Sequence, residues 1–189
     1  LNEIYFNATN ANDISLDEYG NQGCVFLNAG SDDGISVTFG EGVTRVPAYL
    51  FYGQVSGASS SAGNITSVTL SSTISEIGDY AFYGCITLAT VDFESGSLLS
   101  TIGERAFGEC SSLSNFIVQS RVTLIKGYAF EGCSSLSSVT FQDRTTWRVY
   151  TSETASSAYA TISSSTLSNT ATADRYLTST YQAYYWRKR

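Results

Sequence analysis

Histidine and methionine are both absent from the 189 residues, proline appears once, and charged side chains make up only 14%. Without histidine, Ser/His/Asp and Cys/His nucleophiles are excluded, as is any zinc site built on imidazole. Lysine and arginine number 10 against 17 acidic residues, giving a formal net charge of −7. No basic stripe is there to displace counterions from phosphates, which excludes nucleic acid as a partner. Apolar runs stay well short of the roughly 18 residues a spanning helix needs, so no membrane span is predicted. A chain that opens on Leu1 rather than Met reads as a processed product or an excised fragment, with any export signal already removed.

What is present is ample material for a core, with 42% hydrophobic and 13% aromatic residues, so general disorder is excluded. The polar remainder is rich in Ser, Thr, Asn and Gly, an uncharged surface of the kind common on exported proteins. The length suits one domain, or one elongated array with caps.

An internal period decides between these. The run Ile77-Gly78-Asp79-Tyr80-Ala81-Phe82-Tyr83-Gly84-Cys85 returns as Ile102-Gly103-Glu104-Arg105-Ala106-Phe107-Gly108-Glu109-Cys110. It returns again from Ile125 to Cys133. The spacing is 25 residues between Ile77 and Ile102 and 23 between Ile102 and Ile125. A degenerate copy starts at Val46, and the small, polar stretch from Gln54 to Gly63 that follows it reads as a surface loop. Between these runs lies an alternating strand pattern: Leu88/Val91/Phe93, Leu113/Phe116/Val118 and Leu136/Val139/Phe141. Earlier copies are Ile65/Val68/Leu70 and Val37/Phe39. Alternation of period two predicts strands buried on one face. A further apolar residue, Val43, Ile74, Leu99 or Val122, stands three before each Ile or Val of the first run. One such coil buries about seven apolar side chains at roughly 1.5–3 kcal/mol each. That cannot match backbone ordering of about 1–2 kcal/mol for every residue in the coil, so the coils must stack and their ends must be capped.

The motifs IGDYAFYGC, IGERAFGEC and IKGYAFEGC, each followed by a strand such as SSLSSVTF, resemble the BspA-like leucine-rich-repeat family of bacterial surface proteins. The resemblance covers about Gly34 to Trp147 and extends to the tail from Ala173 to Arg189. Pro47, Leu50 and Gln54 depart from the motif in the first coil. It implies a mainly β or α/β repeat solenoid, right-handed, with a parallel sheet on one face and short turns or helical segments on the other. It also implies export, and in some members adhesion to host matrix proteins or other cells. The expected organisation is an N-terminal cap over 1–33, a solenoid of four to five coils near 23 residues over 34–147, and a C-terminal cap over 148–189.

Several groups carry side chains capable of chemistry. Adjacent strands lie about 4.8 Å apart, wider than the roughly 3.5–4.5 Å between Cβ atoms that a disulfide prefers. Cys85, Cys110 and Cys133 are therefore expected as a ladder of buried thiols, and Cys24 has no partner in phase. Phe51, Phe82, Phe107 and Phe130 should form a stacked spine on the convex side. Ser31-Asp32-Asp33-Gly34 reads as a turn with too few oxygens for calcium. Asn7-Ala8-Thr9 and Asn64-Ile65-Thr66 are glycosylation sequons only in a eukaryotic secretory host. Trp147/Val149 and Tyr159/Thr161 alternate like strands, and Ala171 to Thr178 suits a short helix. The aromatic end at Tyr181, Tyr184, Tyr185 and Trp186 reads as a plug over the last coil rather than a sugar-stacking platform. Asp92 and Glu94 share one strand face, and an open sheet supplies no opposing wall, so they read as solvated side chains rather than a glycosidase pair.

Surface remains. By phase, the outward strand positions are Ser36, Ser67, Thr90, Asn115 and Ser138; then Thr38, Thr69, Asp92, Ile117 and Thr140; then Ser71, Glu94, Gln119 and Gln142. The expected protein-binding face is Thr90, Asp92, Glu94, Asn115, Ile117, Gln119, Ser138, Thr140 and Gln142, small and polar with no deep pocket. Ile117 is its apolar exception. The expectation is a monomeric, extracellular or surface-displayed module that is not an enzyme, holds no cofactor or metal, and binds a host matrix or cell-surface protein. The competing expectation is an inert stalk that presents another domain.

Overall fold

The structure is a computed structural model and describes residues 2–9, 11–14, 34–53 and 64–188. Cys24 and its apolar neighbours, the Ser31–Asp33 turn and the Gln54–Gly63 loop lie outside the described residues. In chain order the strands are β1 (Glu3–Phe6), β2 (Ile35–Phe39), β3 (Arg45–Val46), β4 (Ile65–Leu70), β5 (Glu76–Ile77), β6 (Thr90–Phe93) and β7 (Thr101–Ile102). They continue with β8 (Asn115–Val118), β9 (Leu124–Ile125), β10 (Ser138–Phe141), β11 (Trp147–Tyr150), β12 (Ala160–Ile162) and β13 (Tyr185–Lys188). Between β12 and β13 come α1 (Ser164–Leu167), α2 (Thr170–Arg175) and a π-helical turn, Tyr176–Thr180.

Each coil contributes one long and one short strand. The long strands pair in parallel as β1-β2-β4-β6, and separately as β8-β10; the short strands β3, β5, β7 and β9 form a second parallel ladder. The β-branched alternation accounts for the long strands, since Ile35, Val37 and Phe39 and then Val68 and Leu70 all turn inward and are buried. The row before the short strands, Val43, Ile74, Leu99 and Val122, is buried as well.

The IGxxAFxxC run makes the third side of the coil. Tyr49, Tyr80, Arg105 and Tyr128 occupy the same place in successive coils, and all are left-handed, with φ of 61°, 56°, 49° and 60°. Such a conformation costs a side-chain-bearing residue about 1–2 kcal/mol. It is held by a ladder between coils: Tyr80 N–H donates to Glu104 O (2.8 Å) and Phe82 N–H to Ala106 O (2.8 Å). The four phenylalanines that follow stack nearly parallel, with centroids 5.6 Å (Phe51–Phe82), 5.3 Å (Phe82–Phe107) and 5.6 Å (Phe107–Phe130) apart. The thiols of Cys85, Cys110 and Cys133 are free and buried. Each also donates to the phenylalanine carbonyl one coil back: Cys85 to Phe51 O (3.3 Å), Cys110 to Phe82 O (3.2 Å) and Cys133 to Phe107 O (3.1 Å). The cysteine thus fills space as a small hydrophobe and also satisfies a buried acceptor.

Both ends are joined to the stack by strands. β1 adds to β2 in parallel, pairing Glu3 with Ser36 and Phe6 with Phe39. At the other end the chain doubles back, and β13 inserts antiparallel between β9 and β11. Trp147 and Trp186 are buried against Phe141, whose ring centroid lies 5.4 Å and 6.1 Å from theirs. In β12 the inward residue is Ile162, leaving Tyr159 63% exposed. The predicted helix is shorter than Ala171 to Thr178, because α2 gives way at Tyr176 to the π turn, which buries Leu177.

Candidate functional site

The strand columns stand in the predicted phase. Ser36, Ser67 and Thr90 are in register, as are Thr38, Thr69 and Asp92; beyond them Asn115 pairs with Ser138 and Ile117 with Thr140. The sheet, however, does not run through. β6 is hydrogen-bonded to β4 alone and β8 to β10 alone, so the face is split between the third and fourth of these rows. The inward residues record the split. Val91 and Phe93 of β6 are only half-buried, whereas Phe116 and Val118 of β8 and Val139 and Phe141 of β10 are buried. Below the gap the core still touches, with the Phe93 and Phe116 rings 5.7 Å apart and edge-on.

The sequence carries a physical cause. Phe39 to Val43, Leu70 to Ile74 and Val118 to Val122 each take four residues, whereas Phe93 to Leu99 takes six. The two extra residues of the 25-residue coil therefore fall at the exit of β6, where Gly96 turns the chain with φ 81°. The open shape that results is a cleft of about 390 Å³. One wall is Val91, Asp92, Phe93 and Glu94 with the Ser95–Ser97 turn; the other is Ile117, Gln119, Ser120 and Arg121, with Gln142 beyond.

This corrects one expectation, that Asp92 and Glu94 meet no opposing wall; the cleft is open and the face still has no deep pocket. A flat-sheet reading assumes that every coil returns to the same height, and the two-residue excess breaks that assumption. Of the predicted face, Asp92, Glu94, Ile117, Gln119 and Gln142 line the cleft. Thr90, Asn115, Ser138 and Thr140 lie on the strands beside it. Ile117, 42% exposed, presents its side chain to the cleft.

The polar groups divide unevenly. Glu94 Oε2 accepts from Ser72 N–H (3.3 Å), and Ser72 Oγ donates to Glu41 Oε1 (3.2 Å), which holds two carboxylates along that side. Gln142 Oε1 accepts from Ser120 N–H (3.0 Å), and Gln119 Nε2 donates to Ile117 O (3.4 Å), fixing the far wall. Neither Asp92 nor Arg121 has an ion pair among the described residues. Among those residues, no group of three or more His, Cys, Asp or Glu side chains is placed to hold a metal ion.

A second surface feature has no counterpart in the sequence reading. On the turn side, Tyr49 stacks on Tyr80 (4.9 Å, 7°) and Tyr52 on Tyr83 (5.3 Å, 15°). Arg105 continues the first row, 4.6 Å from the Tyr128 ring centroid, and pairs with Glu131 at 2.7 Å. These rings are partnered with one another across coils, which suits a brace for the left-handed positions. The signal that could have found them was in the motif's variable places, where Tyr recurs in phase.

A profile of the BspA type leucine rich repeat region matches residues 56–173 in six copies. The chain belongs to this family. Solved structures of leucine-rich repeat proteins are similar at low identity. PcpA, a pneumococcal vaccine antigen, is 26% identical over 58% of this chain and 29% of that one, with a TM-score of 0.47. A leucine-rich repeat protein from Bacteroides capillosus is 21% identical over 74% and 77%, with a TM-score of 0.44. One from T. pallidum is 27% identical over 59% and 60%, with a TM-score of 0.41. The chain thus spans under a third of PcpA and three fifths of the T. pallidum protein. No curated protein matches. Among the described residues, no helix is long and apolar enough to cross a membrane.

Proposed function

We propose that this repeat is a non-enzymatic protein-binding module of a bacterial surface or secreted protein, engaging its ligand through the long-strand face on either side of the β6–β8 cleft. The observation that carries the reading is that face itself: rows of small polar side chains around one cleft whose lining includes exposed Ile117. An apolar centre with a polar rim is the anatomy of a protein contact. Hydrolysis is disfavoured because Asp92 and Glu94 share one wall and the facing wall presents Ile117, Gln119 and Arg121, so no acid–base pair spans the gap. Membership of a family whose members are typically surface proteins supports an extracellular setting and a role in adhesion.

The test is a binding screen of the chain, wild type and Ile117→Asp, against matrix and cell-surface proteins. Binding by wild type that weakens about tenfold or more in Ile117→Asp supports the reading, since an ionised side chain at an apolar contact must be desolvated on docking. Silence across the panel sinks it in favour of a stalk, and a ligand bound equally by both proteins removes Ile117 from the contact.

A further inference from the structure

We propose that the β6–β8 cleft takes an extended segment of the partner protein that carries a lysine or arginine, its backbone meeting the open edge of β6 and its cation facing Asp92 and Glu94. The inference deepens the protein-binding reading and rests on it. Three independent observations converge on this occupant.

The first is the backbone. In a continuous parallel sheet, the side of β6 turned toward β8 would be hydrogen-bonded; here β6 is paired with β4 alone. An unpaired strand edge is a template for another strand, and addition of an extended segment to such an edge is a recurrent mode of peptide recognition. The rings of Phe93 and Phe116 close the floor. The segment therefore enters from the open face and lies beside the C-terminal half of β6, above the two rings. A cleft of about 390 Å³ is at the small end of ligand pockets and suits a short stretch of chain.

The second is the alternation of surfaces. Half-buried Val91 and Phe93 and exposed Ile117 offer apolar contact, while Asp92 and Glu94 present charge from the same strand. An extended segment places successive side chains on opposite sides, which matches one apolar and one polar receiver.

The third is charge. The lining holds two carboxylates, Asp92 and Glu94, against one cation, Arg121 on the opposite wall. Among the described residues Asp92 has no ion pair, and Glu41 adds a further carboxylate behind Glu94 through Ser72. A cation seated there gains two acidic neighbours, whereas an acidic segment meets them as like charges.

Three blocked pentapeptides serve as probes on the full, 15N-labelled chain at low salt. They are alternating Lys/Val, alternating Glu/Val, and Lys/Val methylated on alternate amide nitrogens. We expect saturable binding of the Lys/Val peptide, with amide shift changes concentrated at 91–97 and 117–121. The Glu/Val and N-methylated peptides should bind about tenfold or more weakly, the first from like charge and the second from lost backbone donors. Asp92→Asn with Glu94→Gln should weaken the Lys/Val peptide by a similar factor, and both are exposed positions that leave the core intact. Deletion of Ser95 and Gly96, which restores the 23-residue spacing and lets β6 meet β8, should abolish binding. Equal affinity for the lysine and glutamate peptides, indifference to N-methylation, shift changes elsewhere, or no saturable binding would each overturn the inference. A protein ligand that loses affinity with Ile117→Asp but ignores both the deletion and the double variant would sink this inference and leave the sheet-face reading standing.

Discussion

Gly103 and Gly96 allow the stacking of the coils to be tested by different mechanisms. Gly103 opens the IGERAFGEC run, and a Cβ built there would lie 2.5 Å from Gly78 C and 2.6 Å from Asp79 N. Both contacts are backbone of the preceding coil, so no flexible side chain can move aside. Gly96 at the cleft mouth has open space around it and a φ of 81°. Overpacking costs about 1–3 kcal/mol, and Gly103→Ala belongs at the upper end because coils must separate to relieve it. Gly96→Ala carries only the left-handed penalty of about 1–2 kcal/mol. Each gains about 0.4–1 kcal/mol from a stiffer unfolded chain. Lys126 holds the place of Gly103 one coil later, and the stack is looser there: Arg105 N lies 3.3 Å from Gly127 O, against 2.8 Å for Tyr80 N and Glu104 O. For a chain of this size 1 kcal/mol moves the melting midpoint by about 2–4 °C, so Gly103→Ala should melt about 2–8 °C below Gly96→Ala. Amide exchange should quicken on both sides of the Gly78–Gly103 interface, because coils support only their neighbours. A Gly103→Ala midpoint at or above wild type would refute the backbone-contact account.

Other consequences follow from single contacts. Lys188 beside Asp143, helped by Thr145 N–H, holds that carboxyl down at about 2. Its folded pKa is below the unfolded value of about 3.9, so the stability it gives is present above about pH 4 and is lost as pH falls toward about 2. With Asp143 about a third exposed, that contribution is at most about 1 kcal/mol, and Asp143→Asn should flatten the acid limb of a melting-versus-pH profile by that amount. Burial pushes the thiols of Cys85 and Cys110 well up, and that of Cys133 up to about 12. Mass spectrometry after iodoacetamide treatment should therefore find all three unmodified in the folded chain and modified in denaturant. Glu109 is left-handed (φ 59°) where Gly84 and Gly132 stand in the neighbouring coils. Glu109→Gly should thus raise stability by about 1 kcal/mol in a denaturant titration, and a fall would contradict the strain argument.

The period was legible because hydrophobic phase is written residue by residue. The inward rows at Val37, Val68 and Val139 and the phenylalanine spine follow from it directly. The outward columns follow from the same period, since one residue of register exchanges the faces. The break was visible only as arithmetic: 25 residues against 23 says that something protrudes, but where it opens the sheet depends on the neighbouring coil. The left-handed places were hidden for a different reason. Tyr80, Arg105 and Tyr128 are poor candidates for positive φ by residue type; Tyr80 and Arg105 are held there by N–H bonds to the next coil and Tyr128 by one to Gln182 of the C-terminal cap, pairings that no local pattern encodes. The return of Tyr185–Lys188 between β9 and β11 is likewise a long-range pairing, and alternation alone cannot name a strand's partner.

The central claim is that protein ligands meet the long-strand face on either side of the β6–β8 gap. Amide hydrogen exchange of the chain with and without a ligand from the matrix and cell-surface panel tests it most directly. We expect slowed exchange over β6, its exit turn, β8 and β10, with the phenylalanine-spine turns and the C-terminal cap unchanged. Protection confined to the turn side around Tyr49, Tyr80 and Tyr128, or to the cap around Tyr159 and Tyr184, would contradict it.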